Sequence, residues 1–442
     1  MNKNIFIQNK IKSYKKKIDM PGDKSISIRW ALLASQAIGI SRAYNLPNSD
    51  DINSALNAVR KIGIKVIKKK NYCEIIGNGL NGFLFKNNTI INAGNSGTLS
   101  RLLPGLLAKS KNSIIVKGDK SLSKRDFSRI IKPLNLFGIN IKSRNNKLPL
   151  KITGTDYLRP IVWNEILKSA QVKTSICLAA LNTPGITKIR LVGSSRDHTE
   201  RLFKYLNIPL KIKRSKNFDI IEIKGCKEYK GFNYNIPGDI SSSAFFIILT
   251  ALNKNSQILI KNINVNKTRT GLIDILRKMN VYIKLKNQRI INNEPIADIF
   301  VKGSQSLKAI TCPEKIVGRL IDELPILFLI CSLAKGTSTF KKIGELRHKE
   351  SDRLKICSSF LKMIGIKVKE TKDGLKIFGN PNLKLKKFYE IKNFMKDHRI
   401  FMMSCIAALT LGGKWKIHDK NSINSSFPEF ISKLKFLGAK II

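Results

Sequence analysis

One pattern recurs six times along the 442 residues. An amphipathic helical segment runs into a single Gly or Asn, and a strand follows in which Ile or Val alternates with Lys. The junction residues are Gly63, Gly138, Asn207, Asn280, Gly365 and Gly438. Gly and Asn are the residues that most readily take the left-handed conformation closing a helix. The copies recur at intervals of roughly 70 to 85 residues, the mark of a repeated α/β unit. Helix–Gly–strand junctions are common by chance, but six at near-even spacing are not. Each copy is expected to hold parallel strands joined by helical crossovers. Six could form one ring or two groups of three, and the length points to more than one domain.

The formal net charge is +51, from 81 Lys and Arg against 30 Asp and Glu. Such an excess suggests nucleic-acid binding. The lysines, however, are spread through the strands and not gathered in a tail, so a Lys-, Ile- and Asn-rich bias laid over an enzyme is the better reading. The excess should still draw anionic substrates. Seven cysteines stand singly (Cys73, Cys177, Cys226, Cys312, Cys331, Cys357 and Cys405), several in apolar surroundings. That pattern suits reduced thiols in a cytosolic protein, not a disulfide framework or a zinc site. Four scattered histidines offer a metal little. The basic N-terminal segment lacks an apolar stretch of signal-peptide length. The apolar run Leu324–Ala334 falls well short of the roughly 20 residues of a membrane helix.

Several segments look like anion-binding helix starts. In Pro21-Gly22-Asp23-Lys24-Ser25-Ile26-Ser27-Ile28-Arg29 a turn opens a helical pattern. Lys24 and Ser25 then fall where free N–H groups and the dipole favour an anion, with Arg29 one turn on. Gly94-Asn95-Ser96-Gly97-Thr98 leads into a leucine-rich helix, and Gly97 would let a ligand approach the backbone. Ser169-Ala170-Gln171-Val172-Lys173 opens a third helix. Ionisable groups crowd in Ser195–Glu200, Glu345–Arg353 and Asp397-His398-Arg399. Taken alone, each of these is more simply a capped helix or a solvated charged face. Glu350 and Arg353, three apart, are expected to face together on a helix. Asp322-Glu323 stands directly before the apolar run, where a carboxylate could serve as a general base or complement a helix dipole.

Together these segments, with Lys124-Arg125 and Gly238-Asp239-Ile240-Ser241-Ser242-Ser243-Ala244, resemble the enolpyruvyl transferase family from Pro21 to Phe430. The match is to the branch acting on shikimate 3-phosphate, in the form called class II. No single motif is specific, but all of them in family order are. The resemblance implies an α/β fold of two similar domains, each of three βαβαββ units in an inside-out, barrel-like arrangement, with the ligand cleft between them. It places residues 1–21 and 240–442 in one domain and 22–239 in the other.

The implied reaction moves the enolpyruvyl group of phosphoenolpyruvate to the 5-hydroxyl of shikimate 3-phosphate and releases phosphate. The resemblance implies that Lys24, Ser25, Arg29, Ser169, Gln171, Arg196, Asp322 and Lys349 hold shikimate 3-phosphate. It implies that Lys24, Gly97, Arg125, Gln171, Arg353 and Arg399 hold phosphoenolpyruvate. Asp322 would take the hydroxyl proton, and Glu350, with Lys24 as partner, would manage the proton at the methylene carbon. No metal, other cofactor, nucleic acid or membrane is implied, and the family suggests a cytoplasmic monomer. The sequence departs from the family at Ile28, Asn92, Asp126 and Ser425, and Asp126 sets a negative charge beside Arg125. Two rivals remain. One is transfer to UDP-N-acetylglucosamine, whose enzyme uses a loop Cys that Gly118–Arg125 lacks. The other is a basic nucleic-acid-binding protein without activity.

Overall fold

The structure, a computed structural model, describes residues 3–193, 195–215, 217–225, 228–304 and 306–442. Cys226 lies outside the described residues. Two compact units emerge from the internal contacts. One takes the chain up to Pro21 with Pro237–Arg289 and Pro295–Ile442, and the other Gly22–Ile236 with Ile290–Glu294.

Among the described residues the second of these units holds helices α1 (Lys24–Ala34), α2 (Asp50–Lys61), α3 (Gly97–Leu106), α4 (Ser128–Leu136), α5 (Ala170–Leu181) and α6 (His198–Tyr205). The first holds α7 (Ile240–Leu252), α8 (Gly271–Lys278), α9 (Leu324–Cys331), α10 (Arg353–Met363), α11 (His398–Leu411) and α12 (Phe430–Phe436). Odd and even helices differ in kind. The even ones are one-sided: α2 buries Ile52, Ala55, Leu56 and Val59 and leaves Arg60 and Lys61 outside. The odd ones are buried nearly all round. Every residue of α9 is buried, as is α7 from Ile240 to Ala251. Within each unit the odd helices pack on one another, α3 against α1 and α5, and α7, α9 and α11 mutually.

Each even helix ends on the residue that marks the repeat. Gly63 (φ +88°), Gly138 (+99°), Asn207 (+54°), Asn280 (+67°), Gly365 (+84°) and Gly438 (+102°) are all left-handed. The chain therefore reverses the same way six times, and after five of these turns a strand follows.

Among the described residues the strands form six open sheets of three or four strands, and no closed barrel. In one, Thr89–Asn92 runs parallel to Ile114–Lys117, which pairs antiparallel with Lys147–Thr153, which in turn pairs antiparallel with Asn140–Arg144. Val162–Glu165, Ile186–Leu191, Asp219–Lys224 and Leu210–Arg214 repeat that order. With α3 and α4, or α5 and α6, each is a βαβαββ unit. Where the chain enters a unit, the parallel edge strand comes from elsewhere in the sequence. Asn233–Asn235 completes the sheet of Ile38–Tyr44, and Lys15–Asp19 that of Gln257–Asn264. Between them, Thr337–Phe340, Leu375–Phe378 and Val368–Glu370 keep the antiparallel part of the order, while its parallel edge shrinks to isolated bridges at Lys308 and Thr311.

The sixth copy departs from the expected pattern. Ala439–Ile441 is not a strand. Ile442 and Phe6 instead exchange backbone hydrogen bonds (2.8 and 3.0 Å), and Ile5–Ile7 pairs antiparallel with Gly412–Ile417 in the missing place.

Candidate active site

Side chains cap five of the six odd helices at their N-termini: Asp23, Ser96, Ser169, Asp239 and Asp397 each accept from a backbone N–H of the first turn. In each unit, side chains at or near these N-terminal ends bond to one another. Within each unit their dipoles then favour negative charge at those ends.

In the Gly22–Ile236 unit, Lys24 begins α1 and its Nζ lies 2.7 Å from Asp51 Oδ2, in the first turn of α2. Ser25 follows, half-buried, at the same helix start. Arg29 is buried. It donates through Nε to Thr199 Oγ1 (2.9 Å), through NH2 to Thr174 Oγ1 (2.9 Å), and through NH1 to the Ser25 carbonyl (3.0 Å). It therefore ties α1, α5 and α6 together at one level. Ser169 caps α5, accepting from Val172 N, and its own N–H donates to Glu165. Gln171 Oε1 accepts from Arg101 NH1 (2.9 Å), and its Nε2 donates to Thr98 Oγ1 (3.1 Å), so α5 and α3 meet at their starts.

Gly97 sits under two guanidinium groups. A Cβ there would lie 2.9 Å from Arg125 NH1 and 3.0 Å from Arg101 NH1, so the missing side chain is what lets both come close. Arg125 NH2 also donates to Asn95 Oδ1 (3.1 Å). The departure at Asp126 is accounted for. Its carboxylate accepts from Ser128 N (3.2 Å) and Ser128 Oγ, so it closes the turn leading into α4, whose N-cap residue is Phe127. The segments Ser169–Lys173 and Ser195–Glu200 are bound to each other. Lys173 Nζ donates to the Arg196 carbonyl (2.8 Å) and to Glu200 Oε1 (2.5 Å), and Thr174 and Thr199 share a hydrogen bond of 2.6 Å. His198 is taken by Glu294, Nδ1 to Oε1 2.7 Å, both buried.

In the other unit a single cation gathers the acids. Arg353, the first residue of α10, is 1% exposed. It grips Asp397 with two nitrogens (2.8 and 3.2 Å), meets Glu350 Oε2 at 2.6 Å, and stands 3.9 Å from Asp322 Oδ1. Burial alone would weaken its hold on its proton, but Asp397, Glu350 and Asp322 more than offset that and hold its pKa above the usual arginine value. Lys349 Nζ lies 2.9 Å from Glu345 Oε1 and 3.9 Å from Asp322 Oδ1. Arg399 NH1 donates to the Asp322 carbonyl at 2.7 Å. Asp322, Lys349, Glu350, Arg353 and Arg399 thus form one linked group. Glu350 does not share a helix with Arg353. It stands on the turn between the 3-10 helix Gly344–His348 and α10, and the pair forms across that turn. Ser425 meets the His398 ring, Oγ to Nδ1 3.3 Å.

Sequence reasoning missed several of these supports. Asp51, Arg101, Thr174, Thr199 and Asp397 have partners 27 or more positions away. Thr199 and Asp397 at least sat inside quoted motifs. Asp51 carried no sign beyond an acid in a helix's first turn. The described cysteines are buried and unpaired by disulfides, and burial pushes the Cys73 and Cys312 thiols up to about 11. Among the described residues no helix is long and apolar enough to cross a membrane.

The chain superposes on the enolpyruvyl transferase NikO from Streptomyces tendae with a TM-score of 0.77 at 14% identity, covering 100% of this chain and 99% of that one, which is a likeness of fold alone. An EPSP synthase structure from Acinetobacter baumannii gives a TM-score of 0.86 at 35% identity, with 99% of each chain covered. The fold class is thus that of the enolpyruvyl transferases. The family model described as EPSP synthase (3-phosphoshikimate 1-carboxyvinyltransferase) matches residues 8–434. Proteins named 3-phosphoshikimate 1-carboxyvinyltransferase from Petrotoga mobilis and Thermodesulfovibrio yellowstonii are each 39% identical. The first match covers 93% of this chain and 94% of the relative, the second 98% and 99%. The chain belongs to the EPSP synthase family.

Proposed function

We propose that this chain transfers the enolpyruvyl group of phosphoenolpyruvate to the 5-hydroxyl of shikimate 3-phosphate, giving 5-enolpyruvylshikimate 3-phosphate and phosphate. The observation that carries this is family membership from residue 8 to residue 434. Transfer to UDP-N-acetylglucosamine is not favoured, and nothing in the family match favours a binding protein without activity.

The roles follow from chemistry. In the addition step the 5-hydroxyl oxygen bonds to C2 of phosphoenolpyruvate, its proton goes to a base, and C3 gains a proton. Elimination then takes a proton from C3, re-forms the C2=C3 double bond and breaks the bond between C2 and the phosphate oxygen, releasing phosphate. We assign the hydroxyl proton to Asp322 and the C3 proton to Glu350, with Lys24 as partner. Two carboxylates held by different neighbours can divide acid and base work. Asp322 is held at its carbonyl by Arg399 and stands 3.9 Å from Lys349, whereas Glu350 pairs closely with Arg353 (2.6 Å). Lys24, Ser25, Arg29, Ser169, Gln171, Arg196, Asp322 and Lys349 are our candidates for holding shikimate 3-phosphate. Lys24, Gly97, Arg125, Gln171, Arg353 and Arg399 are those for phosphoenolpyruvate. Two phosphates and two carboxylates in one reaction call for this density of Arg and Lys.

Phosphate release from phosphoenolpyruvate, assayed with and without shikimate 3-phosphate, tests the reading. Release that requires shikimate 3-phosphate is expected, and none with that acceptor would overturn it. We also read the protein as cytoplasmic, on the strength of its buried, unbridged thiols, and as a monomer, on the strength of its family.

A further inference from the structure

Lys173 takes no part in the reaction set out above, yet it is one of the least expected residues in its unit. It stands in the first turns of α5, 1% exposed. Burying an ammonium costs several kcal/mol unless it is paired, and a hydrocarbon side chain of similar volume often serves stability as well or better. Packing therefore does not explain a lysine here. Its contacts do. Nζ is 2.5 Å from Glu200 Oε1 and 2.8 Å from the backbone carbonyl of Arg196. Glu200 is itself 4% exposed and lies in the first turn of α6. Arg196 lies just before the start of α6 at His198, on the stretch 195–197 that is neither helix nor strand. The same two helices are joined again one position on, where Thr174 and Thr199 both receive Arg29.

We propose that Lys173 is a positioning residue for shikimate 3-phosphate. It pins the Arg196 backbone so that the guanidinium is delivered to the substrate, and Glu200 keeps the ammonium in place. The proposal rests on the reading of Arg196 as a shikimate 3-phosphate ligand. The alternative is that the pair merely joins α5 to α6.

A double variant, K173M/E200L, separates the two. It removes both charges at nearly constant volume, so the fold is expected to persist, while the donor to the Arg196 carbonyl is lost. KM for shikimate 3-phosphate should rise about tenfold, equivalent to about 1.4 kcal/mol, with KM for phosphoenolpyruvate and kcat nearly unchanged. An unchanged KM for shikimate 3-phosphate, or an equal rise in both KM values, would overturn the positioning role. Should the double variant not fold, E200D keeps the charge pair but draws the ammonium off the carbonyl. A smaller rise confined to shikimate 3-phosphate is then expected, and no rise counts against the role. R196A, assayed in parallel, keeps the two levels apart. If R196A raises the KM for shikimate 3-phosphate while the double variant does not, positioning alone fails. If R196A leaves it unchanged, the assignment of Arg196 fails as well.

Discussion

Arg353 shows how much a single buried side chain can organise. Its guanidinium has donors on every edge, and three carboxylates converge on it. Removing any of those acids would change the balance at the other two. If Asp322 is the base, Asp322→Asn should lower turnover by roughly 10²–10⁴-fold, the usual worth of a positioned proton acceptor. Binding of shikimate 3-phosphate should largely survive, as calorimetry would show, and full activity would sink the assignment. Gly97 invites a second test at this scale. A methyl group there must push aside Arg125 or Arg101, both about 3 Å away. Gly97→Ala should therefore raise KM for phosphoenolpyruvate several-fold and leave that for shikimate 3-phosphate nearly unchanged. Steady-state kinetics with each substrate varied in turn decide it, and equal KM shifts would contradict the placement. The residues named from sequence were those that carry a chemical signature near a helix start. Their partners were not legible, because Asp51 for Lys24 or Thr199 for Arg29 is joined only by the folded chain.

Among the elements, the alternation of buried and one-sided helices is the plan of each unit, and the left-handed turn after each one-sided helix repeats it. That turn was readable because only Gly and Asn sit there comfortably. The caps at Asp23, Ser96 and Ser169 were readable for a similar reason. What could not be read was the exchange of edge strands between distant parts of the sequence, since a three-residue strand such as Asn233–Asn235 has no periodicity of its own. Gly365 isolates the cost of the turn: φ is +84° and a Cβ would meet nothing within 4 Å. Gly365→Ala should then cost about 1 kcal/mol of stability through the backbone alone, measurable by urea unfolding, and a neutral effect would contradict that account. Asp126 belongs at this scale too. With its bonds to Ser128 lost, Asp126→Ala should cost about 1 kcal/mol of stability, with KM for phosphoenolpyruvate unmoved. A clear fall in that KM would mean that its charge does weaken Arg125.

For the whole molecule, 81 basic groups face 30 acidic ones, and many lysines have no carboxylate to meet. Some rest on rings instead, as Lys284 does on Tyr282 and Lys286 on Phe300. Such a charge should assist capture of anionic substrates and be screened by salt. The value of kcat/KM for both substrates should fall as ionic strength rises from ~0.01 M to ~0.1 M and the screening length drops from ~30 Å to ~10 Å. A flat profile would mean that only the local site charges matter. The central claim concerns the reaction itself. Its most direct test is phosphate release from phosphoenolpyruvate with shikimate 3-phosphate and UDP-N-acetylglucosamine offered as competing acceptors. The account predicts release with shikimate 3-phosphate alone, and release only with the nucleotide sugar, or with neither, would contradict it.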